Sequence, residues 1–255
     1  MNRTDTRVLD RKILAGKYCL VSIANPFGKT PLPGQFVHVR IEGAFLRRPF
    51  SICGLSSRKL SILFQIKGKG TGAFSRVKTD DTLDIIGPIG NHFPAEKARG
   101  PVVVVAGGVG VAPLLFLAER LAARKRSFAF LYGARTGSEL LDSLLPAGDY
   151  ERILTTDDGS KGAQGKVTDI LTDTIERTGS AIVFASGPYA MLRKVAAISA
   201  DTGVPAYVSL ETRMFCGLGV CQGCVIQSAR GYVKICSEGP VFNTKDIVWQ
   251  NEPPV

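Results

Sequence analysis

The sequence has no long apolar run. No stretch reaches the roughly 18 consecutive apolar residues that a bilayer span needs, and the opening MNRTDTRVLDRK is polar, without the apolar core of a secretory leader. Membrane insertion and export are therefore not expected, and a cytoplasmic location is. Histidine is scarce: His38 and His92 are the only two in 255 residues. Neither lies near the cysteines in sequence, which disfavours a histidine-ligated Rieske centre, so both are read as ordinary barrel or turn residues. Repeats and low-complexity tracts are missing too. With 45% apolar and 21% charged residues there is no compositional basis for disorder.

The charge is one-sided, with 32 Lys plus Arg against 22 Asp plus Glu and a net +10. The basic residues are scattered, and the densest run, Arg120 to Arg126, falls late in an expected helix, where cations favour the negative helix end. No aromatic-rich basic motif accompanies them, so nucleic acid is not expected as a partner and anionic cofactors suit the charge better. The length is generous for one core and fits two compact domains plus a short appendage.

From Leu9 to Phe93 short strands alternate with Gly and Pro: FVHVRI (36–41), LSILFQI (60–66) and TLDIIGPIG (82–90). Only a brief helical pattern, around Gly72 to Val77, interrupts them. An antiparallel barrel over residues 1–97 is the architecture that removes the exposed edges. From Pro101 the pattern changes. PVVVVAGG is apolar throughout, as a strand covered on both faces would be, and APLLFLAERLAARK follows at helical spacing. The alternation continues through FAFLYG, a helix near Ser138 to Leu145, RILTTD, a helix near Thr168 to Arg177, AIVFASG, a helix from Tyr189 to Ala200, and AYVSLE. This predicts an α/β domain with a parallel sheet over residues 98–210. Residues 211–255 are Gly- and Cys-rich with little periodicity, and are expected to be organised by a ligand more than by a core.

Several segments point to ligands. GGVGVAP, with Gly107, Gly108, Gly110 and Pro113, joins a buried strand to a helix, where backbone N–H groups and the positive helix end receive a pyrophosphate. Pro113 stands where the common fingerprint has its last glycine, and a glycine-rich turn could equally be a plain connector. Gly187-Pro188 is expected to open onto the same sheet edge. In the barrel, Arg47-Arg48-Pro49-Phe50-Ser51 gathers cations, a ring and a hydroxyl, although an ordinary strand with a solvated Arg would read the same way. Lys67-Gly68-Lys69-Gly70-Thr71-Gly72 forms a second anion nest. One such loop is weak evidence for an anionic ligand, and two beside a strand-rich barrel are stronger.

Four of the six cysteines crowd together as Cys216-x4-Cys221-x2-Cys224-x11-Cys236, while Cys19 and Cys53 sit alone in apolar runs as small buried hydrophobes. The first three follow the C-x4-C-x2-C spacing of plant-type 2Fe-2S loops, with a later fourth thiolate, and Gly217, Gly219 and Gly223 free the backbone to aim N–H groups at sulfur. A structural zinc site is the alternative, but its ligands normally come in two C-x2-4-C pairs and Cys236 has no such neighbour. Disulfides do not suit a chain read as cytoplasmic.

Together these signals resemble the ferredoxin-NADP reductase superfamily and, within it, the electron-transfer subunits of type B dihydroorotate dehydrogenases, over nearly the whole chain. The resemblance rests on Arg48-Pro49-Phe50-Ser51, GPIGNHF, GGVGVAP, SLETRMFCGLGVCQGC and ICSEGPVF. It implies that Arg48 neutralises the FAD pyrophosphate, Phe50 flanks the isoalloxazine, Ser51 bonds near flavin N5 and the Gly68–Thr71 loop meets the phosphates. It further implies NAD at the glycine turn, a 2Fe-2S cluster on the four cysteines, and an FMN-containing catalytic partner in a heterotetramer. Ser186 replaces the cysteine often found before Gly-Pro in the superfamily, so no catalytic residue is assigned. Arg135, near the second strand end, leaves NAD against NADP open.

Nicotinamide exchanges electrons in pairs and a 2Fe-2S cluster exchanges them singly, so a flavin between them completes a relay. The implied function is transfer of electrons from dihydroorotate, oxidised on the partner, to NAD+. The alternatives are a similar subunit of a hydrogenase or ferredoxin-NADP transhydrogenase, and, from a different class, a zinc-binding interaction module.

Overall fold

The structure is a computed structural model and describes residues 2–27 and 30–251. Strands β1 (Asn2–Leu14), β2 (Tyr18–Ala24), β3 (Phe36–Val39), β4 (Arg48–Leu55) and β5 (Lys59–Gln65), the short helix α1 (Lys69–Phe74) and β6 (Thr82–Ile89) make the first unit. The strands close into an antiparallel barrel in the order β1-β2-β5-β4-β3-β6, with β6 paired back onto β1. Alternation places Val21, Ile23, Val37, Val39, Ile52, Ile62 and Ile85 inside, all 0% exposed. At one end the rings of Phe50, Phe64 and Phe74 pack with centroids 4.9–5.0 Å apart.

The second unit comprises β7 (Val102–Gly107), α2 (Val111–Ala123), β8 (Phe128–Ala134), β9 (Glu151–Thr156), β10 (Ala163–Gln164), α3 (Leu171–Thr178), β11 (Ile182–Ser186), α4 (Tyr189–Thr202) and β12 (Ala206–Ser209). These strands run parallel in the order β10-β9-β8-β7-β11-β12. Every residue of β7 is buried, because α2 covers one sheet face and α3 with α4 the other. The helix expected near Ser138–Leu145 is not α-helical. Two single 3₁₀ turns, Gly137–Glu139 and Asp142–Leu144, stand there, separated by a non-helical link that buries both Leu140 and Leu141. The helix expected from Thr168 starts at Leu171.

The C-terminal segment carries β13 (Val225–Ser228), β14 (Gly231–Lys234), α5 (Ile235–Glu238) and β15 (Val241–Asn243). It has more core than its sequence suggests. Strand β15 adds an antiparallel edge to β12, and Ile226, Ile235 and Ile247 are buried with Val208 and Leu210 in one apolar cluster. The three units are also locked together. Phe116 of α2 is fully buried in the cluster that fills the barrel. Asn91, just after β6, donates through Nδ2 to the carbonyls of Glu238 (2.9 Å) and Val241 (2.7 Å) and accepts from the Val241 N–H (2.9 Å).

Candidate functional site

A cavity of about 360 Å³ lies where the three units meet. Its walls are Phe36, Pro49, Phe50 and Ser51 from β3 and β4, Leu63 to Gln65 from β5, Thr71 of α1, Val109, Ala112 and Pro113 of the glycine turn and α2, and Ser209 to Thr212, Met214 and Pro240 from the C-terminal side. The result is a mostly apolar slot with polar groups at its rim, the form taken by sites for flat ligands. Pro49 and Ser51 lie two apart on β4. Phe50, expected to flank a flavin, borders the slot; the residue is 6% exposed and its ring packs with Phe64 and Phe74.

Arg48 and Gly70 are brought together. The Arg48 guanidinium donates to the carbonyls of Leu46 (2.9 Å) and Arg47 (3.3 Å), and its Nε lies 3.3 Å from where a Cβ on Gly70 would stand. A charge held over the first turn of α1 suits a diphosphate. The Thr71 hydroxyl is engaged within its own loop. It accepts from the N–H groups of Lys67 (2.9 Å) and Gly68 (3.1 Å) and donates to the Gly68 carbonyl (3.2 Å), which fills its capacity. It shapes the Gly68–Gly70 loop.

The glycine turn and Gly187-Pro188 do open onto one edge, in direct contact. A Cβ on Gly107 would lie 2.6 Å from Met191 Sδ and 2.9 Å from Pro188 Cδ, and one on Gly110 would lie 2.4 Å from the Ser186 carbonyl oxygen. Gly110 is thus a close-packing glycine, whereas Gly108, at φ +53° with nothing within 4 Å, faces open space where a ligand can approach. Pro113 sits in the first turn of α2, where no intrahelical N–H bond is lost.

Around the cysteine loop, backbone N–H groups converge on sulfur. Cys216 Sγ accepts from Leu218 (3.3 Å) and Cys221 (3.5 Å), Cys236 Sγ from Gly219 (3.2 Å), Cys221 Sγ from Gly223 (3.4 Å) and Cys224 Sγ from Cys236 (3.5 Å). Burial pushes the Cys216 thiol up, but the N–H groups of Cys221 and Leu218 outweigh it and bring it down to about 6. Burial, with Cys224 beside it, raises Cys236 to about 11. Among the described residues no three His, Cys, Asp or Glu side chains converge on a point that could hold one metal ion. The thiols instead meet in two pairs, Cys216 with Cys221 and Cys224 with Cys236, and the C-x4-C-x2-C spacing with a later fourth cysteine is that of a 2Fe-2S loop. Cys19 and Cys53 are buried, at 0% and 6% exposure, and burial raises their thiols to about 11 and about 12.

Residues 211–248 match the family described as the iron-sulfur cluster binding domain of dihydroorotate dehydrogenase B. The electron transfer subunit of dihydroorotate dehydrogenase B (NAD(+)) from Desulforamulus reducens is 36% identical over 261 residues, covering 96% of this chain and 100% of the relative. The chain belongs to this family of electron transfer subunits. Another member, from Caldanaerobacter subterraneus subsp. tengcongensis, is 37% identical over 87% of this chain and 89% of its own length. Among solved structures, an NADH-dependent reduced ferredoxin-NADP oxidoreductase superposes with TM-score 0.82 at 29% identity, over 96% of this chain and 90% of the other. Phthalate dioxygenase reductase shares the fold, with TM-score 0.66 at 20% identity over 89% and 87%.

Sequence reasoning missed two residues. Glu211, directly after the last parallel strand, borders the slot; the surrounding protein desolvates its carboxyl and raises its pKa, although the open slot still leaves the side chain in contact with solvent. Its one sequence signal was a carboxylate at a strand's carboxyl end. His38, read as an ordinary barrel residue remote from the cysteines, packs against Gly217 in the cysteine loop. Its pKa is lowered to about 4 by burial and by Arg47 and Arg48.

Proposed function

We propose that the chain carries electrons between a catalytic partner and NAD, with FAD in the slot, a 2Fe-2S centre on Cys216, Cys221, Cys224 and Cys236, and nicotinamide entering over the turn at Gly107–Gly110. The observation that carries this reading is the single slot walled jointly by the flavin strand, the nucleotide turn and the start of the cysteine segment. As in its family, the chain is an NAD-linked oxidoreductase subunit serving pyrimidine biosynthesis. FAD, when bound, exchanges a hydride with nicotinamide and single electrons with the cluster. The protein's own groups bind and orient. Arg48 and the Gly68–Gly70 loop hold the diphosphate, Pro49, Phe50 and Ser51 line the ring site, and Gly187-Pro188 backs the nucleotide turn. The chain divides at 97/98 and 210/211 into flavin, nucleotide and cluster units.

NAD is favoured over NADP by Glu139, whose carboxylate takes Arg135 in a two-point contact (2.9 and 3.4 Å) and also pairs with Lys17 of the barrel. The cation that would meet a 2′-phosphate is already engaged, and a carboxylate stands beside it. The partner is an FMN-containing dihydroorotate dehydrogenase subunit in a heterotetramer. Phe215, Leu218 and Val220, 44–78% exposed on the cysteine loop, are the apolar surface it would cover. Among the described residues no helix is long and apolar enough to cross a membrane, and we place the complex in the cytoplasm.

The purified chain should release FAD on acid treatment and be bleached by NADH, yet form no orotate from dihydroorotate until the partner is added. Orotate formation by the chain alone would refute this division of labour. The likeness to the ferredoxin-NADP oxidoreductase keeps one rival reading: association with a ferredoxin- or NADP-linked subunit, and with no dihydroorotate dehydrogenase, would decide for it.

A further inference from the structure

His38 has no role in the scheme above. It lies in β3 with its side chain 0% exposed, and neither ring nitrogen has a hydrogen-bond partner. Among the described residues only one other buried side-chain polar atom, Thr155 Oγ1, is in that condition. Burying an imidazole N–H without an acceptor costs about 1–3 kcal/mol, so an apolar side chain would hold β3 more firmly. The ring's surroundings supply a reason for it. A Cβ on Gly217 would lie 2.7 Å from both Nδ1 and Cε1, so this edge of the ring touches the main chain of the residue directly after Cys216. Gly217 sits at φ +68°, where a side chain would be strained as well as blocked. On the barrel side His38 pairs across the sheet with Pro49, and its ring meets Phe36 edge-on at 6.3 Å; both neighbours wall the slot. An unsatisfied donor therefore stands between the cysteine loop and the flavin slot, and the acceptors this loop is built to present are sulfurs.

We propose that the His38 imidazole donates a hydrogen bond to a sulfur of the bound 2Fe-2S centre, pinning the cysteine loop to β3 and raising the centre's reduction potential. The proposal rests on the four cysteines being the ligands. Reduction adds negative charge to the sulfurs and strengthens a hydrogen bond to them, so such a donor favours the reduced state. His38 is thus a positioning residue, not a catalytic one.

Pulsed EPR on the NADH-reduced holoprotein tests it, in a His92→Gln background that leaves His38 the only histidine. Iron content and the cluster signal are read first and report on the cysteine assignment alone; a chain without iron would overturn both readings. In the loaded protein, ¹⁵N-histidine labelling should replace an imidazole ¹⁴N modulation with its ¹⁵N counterpart. In redox titration, His38→Leu should move the cluster midpoint to more negative potential with the flavin midpoint unchanged, and His38→Gln, which keeps an N–H donor, should recover part of the shift. A loaded cluster indifferent to the histidine label, with the same midpoint in His38→Leu, would overturn the role of His38 and leave the cysteine assignment standing.

Discussion

Two methyl groups, added two residues apart, separate packing from ligand binding in the nucleotide turn. In Gly110→Ala the new Cβ would lie 2.4 Å from the Ser186 carbonyl oxygen and 2.5 Å from Gly187 Cα, where ordinary contact begins at 3.4 Å. The obstacle is backbone, so no rotamer change relieves it; the Ser186–Gly187 loop must retreat by about 1 Å, at the upper end of the roughly 1–3 kcal/mol that overpacking costs. In Gly108→Ala the Cβ meets nothing within 4 Å and the cost is the left-handed backbone at φ +53°, about 1 kcal/mol. With a urea dependence of about 2–3 kcal/mol per molar, Gly110→Ala should unfold about 1 M earlier than the parent and Gly108→Ala by less than half of that. The single tryptophan gives the assay. Trp249 packs against Tyr189 at the start of α4, the rings tilted 41° with centroids 5.4 Å apart, and donates to the Thr244 carbonyl at 3.0 Å, so its fluorescence follows the nucleotide unit. NADH titration should show the opposite order, with Gly108→Ala the more impaired because its methyl occupies the ligand's approach. Equal urea midpoints, or unweakened NADH binding in Gly108→Ala, would refute the division between the two glycines.

Four further outcomes are expected. Arg48→Ala should weaken flavin retention by about 10–100-fold, the worth of one charge-assisted contact, measured by flavin release on dilution. Ser at any of positions 216, 221, 224 or 236 should abolish or alter the iron signal, whereas Cys53→Ser should leave iron content unchanged. Glu139→Gln should raise the use of NADPH relative to NADH by about tenfold, since like-charge repulsion at a 2′-phosphate is relieved; an unchanged preference would place specificity elsewhere. Burial raises the Asp84 carboxyl, but Arg47 (2.6 Å) and Arg3 (3.0 Å) outweigh it, so its folded pKa lies below the ordinary 3.8. Its stabilisation is therefore present above that value and is lost as pH falls below it. Asp84→Asn should cost about 2 kcal/mol at pH 7 and flatten the acid limb of the stability profile.

The barrel and the parallel sheet were legible because each is written locally: alternation between turn residues in one, apolar runs followed by helical spacing in the other. The cysteine loop was legible because its ligands are close in sequence. The segment GSELLDSLLP misled, because Leu140, Leu141, Leu144 and Leu145 match helical spacing over a stretch too short to nucleate. There the chain instead breaks so that both Leu140 and Leu141 reach the core and Glu139 reaches Lys17 and Arg135. The meeting of His38 with Gly217 had no local signal, since the two share no element and are joined only by the docking of the C-terminal segment. Thr71 differs: its hydroxyl's three backbone partners lie only three and four residues away, at Lys67 and Gly68, but a hydroxyl beside glycines reads equally as a ligand contact or as a loop bond.

The Asn91 clamp makes the cysteine segment something other than a module threaded onto a reductase. A chain ended after Leu210 would leave the β12 edge open, strand the carboxamide of Asn91 without its Glu238 and Val241 partners, and uncover Val208. Such a segment cannot be gained, lost or exchanged as an independent cassette without rebuilding the sheet edge and the barrel exit with it. Recombination between relatives would therefore have to carry the barrel turn and the C-terminal segment together, although they stand far apart in the gene.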